Sequence, residues 1–164
     1  MFNFLRRRKE AQEKMEAMYS RGLAIPAPAR KTPGAAGYDL SIASIPEHQG
    51  EMRVVIGPQE RLLVNTGVKI HIKDPAMVGM ITIRSGVAAQ GLTLVNGVGV
   101  IDSDYQGEIK MYLFNTSKFN VTVSLGDRIA QLLVVRIATP ELVPVEGFTI
   151  TTERNSKGFG STGT

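Results

Sequence analysis

The chain has no cysteine and no tryptophan, and only two histidines, His48 and His71. The first absence excludes disulfides and cysteine-based zinc sites. The scarcity of histidine excludes a histidine-rich metal centre and leaves a serine triad few candidates for its base. His71 lies in the alternating run Val68-Lys69-Ile70-His71-Ile72, which puts Lys69 and His71 on the polar face of a strand. No apolar run approaches the ~20 residues of a membrane span. The opening Met1-Phe2-Asn3-Phe4-Leu5-Arg6-Arg7-Arg8-Lys9 places its charges after a very short apolar patch, the wrong order for a secretion signal. The expectation is a cytoplasmic protein that does not engage a membrane. No G-x-x-x-x-G-K-[ST] sequence is present, so this is not a P-loop protein.

What is present suits one domain: 164 residues are enough for a sizeable core. A pI near 9.5 suggests nucleic acid until the charge is partitioned. Residues 1–21 hold six Lys/Arg and three acids, leaving 13 basic and 12 acidic groups elsewhere. The body is nearly neutral and most of the excess sits in an arm, so no nucleic-acid partner is expected.

Along the chain, Ala11, Met15, Met18 and Tyr19 fall at i, i+4, i+7 and i+8 among Arg, Lys and Glu. This spacing predicts a helix over 5–20, within a basic amphipathic arm of residues 1–24. That arm reads either as a docking helix for an unknown protein partner or as a loosely held extension. Ile25-Pro26-Ala27-Pro28-Ala29 reads as an extended linker. From Tyr38 the period becomes that of strands, expected at 38–45, 51–56, 60–66, 68–73, 77–83, 92–95, 98–102, 108–115, 119–124, 129–137 and 141–146. Turn signals such as Gly57-Pro58, Asp74-Pro75 and Gly126-Asp127 separate them. Many short strands at this spacing predict an all-β sandwich or barrel. Ser85 to Gln90 is the exception, expected as one or two helical turns capped by Ser85. Arg154 to Thr164 reads as a mobile, glycine-rich tail.

The chemistry-bearing stretch is Asn96 to Glu108, N-G-V-G-V-I-D-S-D-Y-Q-G-E. Asn-Gly between apolar runs is a strong hairpin signal. The second run leads into Asp102, Asp104 and Tyr105. A hairpin edge can read a flat base, and a carboxylate at a strand end can hold a water or a metal; an ordinary hairpin with a solvated acidic turn reads as well. Four further stretches accompany it. Ala35-Ala36-Gly37-Tyr38-Asp39-Leu40 carries a lone carboxylate. Arg84-Ser85-Gly86 sets a cation and a hydroxyl where a strand meets a helix, a natural phosphate seat. Gly126-Asp127-Arg128-Ile129-Ala130-Gln131 sets Arg128 and Gln131 at a turn and strand start. Lys157-Gly158-Phe159-Gly160-Ser161-Thr162-Gly163 offers amides, hydroxyls and a ring. Taken singly, these also read as a turn acid, a helix cap, a solvated turn and a polar tail.

Together, and in this order, the five stretches resemble the five motifs of the trimeric dUTPase family, from about Pro33 to Thr162. The resemblance implies a distorted jelly-roll β subunit and a homotrimer with active sites at subunit boundaries. It implies hydrolysis of dUTP to dUMP and pyrophosphate with Mg²⁺, which limits uracil in DNA and supplies dUMP. Asp102 matches the carboxylate that deprotonates the attacking water. Asn96, with Gly99 and the hairpin backbone, matches the uracil reader, and Tyr105 the ring under the deoxyribose. Arg84, Ser85, Gly86, Arg128 and Gln131 match phosphate ligands. Asp39 matches the acid linked to the metal through water. Phe159 matches the ring that closes over uracil, and Arg154, Gly160, Ser161 and Thr162 match tail groups over the phosphates, donated by a neighbouring subunit.

The match departs in the fifth motif, where Asn155, Ser156 and Lys157 stand at positions the family usually gives partly to glycine. A left-handed backbone there would strain Ser or Lys, and Asn less. Two rivals exist. A dCTP deaminase shares this fold but needs a glutamate where this chain has Tyr112. A dUTPase-like regulatory trimer would act by binding another protein, with the arm as the candidate docking element, an alternative that an intact site leaves open.

Overall fold

The computed structural model describes residues 15–19 and 25–158. Ten strands and one short helix make up its elements: β1 (Glu16–Tyr19), β2 (Tyr38–Ser41), β3 (Arg53–Ile56), β4 (Arg61–His71), β5 (Met77–Ile83), α1 (Ser85–Ala88), β6 (Leu92–Leu94), β7 (Gly99–Ile101), β8 (Glu108–Asn115), β9 (Val121–Ser124) and β10 (Arg128–Arg136). One antiparallel sheet runs β1-β4-β8-β6 and another β2-β10-β5-β7, with β3-β9 as a two-stranded ribbon. The all-β expectation holds.

Alternation explains the strands. In β8, Ile109, Met111, Leu113 and Asn115 point inward, while Lys110 and Tyr112 face out. Val54 and Ile56 of β3 meet Val121 and Val123 of β9 in the same period. Leu40, Ile42, Ile81, Ile129 and Leu132 bring the second sheet onto this core. Each fully buried Leu or Ile contributes about 1.5–3 kcal/mol. Buried Asn115 is fully engaged. Its amide donates to the Ile56 and Phe119 carbonyls at 2.9 and 2.7 Å, and its oxygen accepts from the Ser117 amide and hydroxyl at 2.9 and 2.7 Å.

Four expectations are corrected. Residues 16–19 are not helical: they form β1 on the free edge of β4, with Glu16 opposite His71 and Tyr19 opposite Val68. Met15, Ala17 and Tyr19 also fit a two-residue period, and an open strand edge with its N–H and C=O partners outweighs local helix preference. The rest of the expected helical arm, residues 5–14, lies outside the described residues.

The runs 60–66 and 68–73 are one strand, β4, bent at Thr66-Gly67 rather than broken. The register with β8 shifts between Asn65 and Lys69. The Thr66 hydroxyl donates to the Ile109 carbonyl at 2.8 Å, and the Gly67 amide to the Glu108 carboxylate at 2.7 Å. These two bonds hold a bulge.

The Asn96-Gly97 pair does not close a hairpin. β6 pairs with β8 and β7 with β5, in different sheets. Only Gly97 has a positive φ, at 70°, whereas the expected hairpin turn needs two such residues. The Gly97 amide donates to Leu94 at 3.0 Å and the Val98 amide to Asn96 at 2.7 Å. The chain turns a corner here and crosses between sheets. Burial of Leu92 and Leu94 in the core decides the pairing.

Residues 141–146 form no strand. Pro144 lacks the donor a ladder needs, and Pro140 precedes the run. Leu142 and Phe148 stand 92% and 94% exposed.

Candidate active site

The first half of the site lies at one end of β5. Asp39, Gln131 and Thr82 form a cross-strand row over β2, β10 and β5, so their side chains share a face. A register shift in β10 between Arg128 and Ala130 turns Arg128 back toward the row. Its guanidinium donates to Asp39 Oδ2 at 2.9 Å. Arg84 Nε lies 3.2 Å from Asp39 Oδ1, and Arg84 Nη1 donates to the Arg128 carbonyl at 3.1 Å. The Asp39 side chain is only 13% exposed, and the arginines are more open. One carboxylate thus fixes two guanidiniums and leaves the corner with excess positive charge and spare donors, suited to an anion.

α1 follows at once. Arg84 rather than Ser85 is its N-cap residue, and no side chain caps it, which corrects the expected Ser85 cap. Ser85 is the first helical residue. Its hydroxyl has no bonded partner among the described residues, nor do the Ser85 and Gly86 amides. The side-chain oxygen expected to cap is therefore available to a ligand.

The second half of the site is the loop after β7. Asp102 is exposed and makes no ion pair among the described residues. The Tyr105 amide donates to the Asp102 carbonyl at 3.1 Å, closing a turn. The Tyr105 hydroxyl donates to the Glu108 carbonyl at 3.0 Å. The ring folds over Gly107, where a Cβ would stand 2.3 Å from the phenolic oxygen. Only glycine allows that ring position without displacement. Sequence reasoning singled out Tyr105 but not this dependence on Gly107.

The two halves stand apart. β7 runs antiparallel to β5, with Gly99 opposite Ile81 and Ile101 opposite Gly79. Asp102 therefore lies beyond Gly79, while Arg84 follows Ile83 at the other end. Six residues of strand separate those levels, roughly 20 Å. Asn96 and Gly99 lie toward the Arg84 end of this pair. In the tail, the Arg154 guanidinium donates to the Lys157 carbonyl at 3.2 Å, and the Lys157 amide returns to Arg154 at 3.1 Å. Asn155 has φ 49°, and Ser156 and Lys157 do not share it. The left-handed position falls on asparagine, the least strained of the three. Phe159, Gly160, Ser161 and Thr162 lie outside the described residues.

The dUTPase family model matches residues 24–163. The chain is 39% identical over 144 residues to the deoxyuridine 5'-triphosphate nucleotidohydrolase of Shewanella pealeana, covering 87% of this chain and 90% of that protein. It is 45% identical over 145 residues to that of Mycolicibacterium gilvum, covering 85% and 88%. The chain belongs to the dUTPase family. Membership makes it a hydrolase of nucleotide metabolism. Among solved structures, this dUTPase is similar to the Staphylococcus bacteriophage 80alpha dUTPase with dUPNHPP, at TM-score 0.73 and 30% identity over 93% of this chain and 99% of that one. It is also similar to a mutant dUTPase from phage phi11 of S. aureus solved to show coordination of a structural Mg(II) ion, at TM-score 0.69 and 27% identity over 84% and 99%.

The donor set bears on Mg²⁺. Among the described residues no group of three or more His, Cys, Asp or Glu could cage a metal. Asp39 is a single carboxylate with one oxygen accepting from Arg128 and the other ion-paired with Arg84. Such a set fits an ion held mainly by phosphate oxygens and water, the usual preference of Mg²⁺. No helix of the described residues is long and apolar enough to cross a membrane.

Proposed function

We propose that this dUTPase carries out its hydrolysis of dUTP to dUMP and pyrophosphate at sites shared between copies in a jelly-roll homotrimer, with Asp102 activating the attacking water. The separation of the two half-sites carries this reading. A water held by Asp102 and phosphates held near Arg84 must meet on one triphosphate, which is shorter than the span between them within a chain. A second copy that presents its Asp102 loop beside the first copy's Arg84 corner closes that gap.

At such a site the chain's residues divide the work. The Asp102 carboxylate accepts a proton as the water oxygen attacks the α-phosphorus; the bond to the bridging oxygen breaks and pyrophosphate leaves. Arg84, Arg128, Gln131, the Ser85 hydroxyl and the Ser85 and Gly86 amides hold the phosphates. Asn96 and the backbone to Gly99 read the uracil edge. A site built for that edge leaves groups unpaired against cytosine, which can cost a factor of roughly 10⁴. Tyr105, pressed on Gly107, lies under the deoxyribose and leaves no room for a 2′-hydroxyl. Asp39 would hold Mg²⁺ through water, and the bound ion would neutralise phosphate charge. Arg154, Phe159, Gly160, Ser161 and Thr162 close over the nucleotide from a neighbouring copy. The exposed segment between β10 and Arg154, which packs little of its own apolar surface, suits that reach.

The test is pyrophosphate release from dUTP, dCTP, TTP and UTP with Mg²⁺, side by side, on protein of measured mass in solution. Hydrolysis confined to dUTP by a trimer is expected. A fully active monomer would overturn the shared site.

A further inference from the structure

A polar cluster at the end of β4 joins β1 to the Asp102 loop. Glu16 stands opposite His71 in the β1–β4 register. Its carboxylate accepts from Lys73 Nζ at 2.5 Å and lies 3.8 Å from His71 Nδ1. His71 Nδ1 in turn faces Gln106 Nε2 at 3.4 Å. The Lys73 amide donates to the Ser103 carbonyl at 3.3 Å. Ser103 and Gln106 flank Asp104 and Tyr105, so the bonded link from Glu16 through Lys73 reaches one side of the loop, and the His71 ring, whose Nδ1 accepts from Gln106, stands between Glu16 and the other side. Lys73 also has φ 70°, a conformation a lysine adopts only when its surroundings hold it. What holds it here is the side-chain bond to Glu16 and the main-chain bond to Ser103.

We propose that Glu16 and Lys73 are positioning residues, through which β1 holds the loop bearing Asp102 and Tyr105 in its productive turn. This rests on the roles given above to those two residues. The loop has few other restraints: its Asp102, Asp104, Tyr105 and Gln106 side chains are exposed, and its remaining bonds are local. Glu16 is 65% exposed, so the clamp is modest and adjustable. The Lys73 hydrogen bond and charge hold the Glu16 carboxyl below the usual carboxylate range, so it stays ionised further into acid than a free glutamate. A strand added to a sheet edge thereby acts on the reacting end of the site without touching substrate.

The experiment compares the full chain with Glu16→Gln and Lys73→Gly. Glycine takes the left-handed backbone at residue 73 freely, so that variant removes the side chain without unfolding the turn. Amide exchange across residues 103–107 is expected to rise, and kcat/KM for dUTP to fall, each roughly two- to fivefold, the range of an exposed ion pair. The melting temperature of Lys73→Gly stays level or rises. The double exchange Glu16→Lys with Lys73→Glu restores both readouts. Unchanged exchange in both variants overturns the clamp, and faster exchange with unchanged kinetics overturns the positioning role. A wild-type chain that leaves dUTP intact refutes the function instead, while exchange still decides the clamp.

Discussion

Asp39 and Asp102 are both carboxylates at strand ends, yet their surroundings are opposite. Asp39 is nearly buried and grips two arginines drawn from different strand ends. Asp102 is exposed and unpaired among the described residues, on a loop closed by a few local bonds and tied at Ser103 to the Lys73 amide. A carboxylate already paired with two guanidiniums is a poor acceptor for a proton from water. A free one is a good acceptor but cannot hold other groups still. The comparison fits the proposed division of tasks: a corner at one end of β5 with its charges fixed, suited to phosphates, and a loop at the other end whose carboxylate is open to a water.

The largest expected effect breaks the free end. Asp102→Asn keeps the shape and removes the proposed base, and turnover should fall by about 10³-fold or more, while dUTP binding stays within about tenfold. Pyrophosphate release and calorimetric binding measure the two. Substantial residual turnover would place the base elsewhere. Removal of residues 154–164 comes next. The assembly should persist by sedimentation while activity falls by about 10²-fold, the scale of losing preorganised phosphate donors. If the proposed trimer dissolves, the tail is structural.

The tied end should respond less. Asp39→Asn keeps one acceptor but loses the charge that aims Arg84 and Arg128. One charge-assisted hydrogen bond and one ion pair weaken, and kcat/KM should drop roughly ten- to hundredfold, chiefly through KM. An unchanged KM would mean the arginines hold their place without Asp39, and the contrast between the two carboxylates would lose its basis.

Much of this was legible in the sequence because β alternation and five spaced motifs are local signals. Ile109, Met111 and Leu113 announce their strand by period alone. The corner is different. Asp39, Arg84 and Arg128 are far apart in the chain, and only the β2-β10-β5 order brings them together. The same holds for Glu16 and Lys73. The Asn96-Gly97 pair misled because turn chemistry says that a chain reverses, not which neighbour each flanking run will pair with; burial of Leu92 and Leu94 against β8 settled that. β1 misled because five residues fit both a helical and a strand period, and the open edge of β4 is a tertiary fact.

Asn155 gives the smallest and sharpest test of the tail. It alone of Asn155, Ser156 and Lys157 has a positive φ, so the departure from glycine falls where asparagine can bear it. Asn155→Gly should leave kcat/KM for dUTP within about twofold, since either residue takes that backbone at small cost. Asn155→Val should lower it by up to about tenfold, because a branched side chain at positive φ is strained by roughly 1–2 kcal/mol. In the proposed closure of the tail that strain must be met at every turnover, so the loss should appear in activity and leave the melting temperature unmoved. Equal activity of the glycine and valine variants would mean that the turn at Arg154 opens when nucleotide binds, and that Arg154 reaches the phosphates from a different backbone shape.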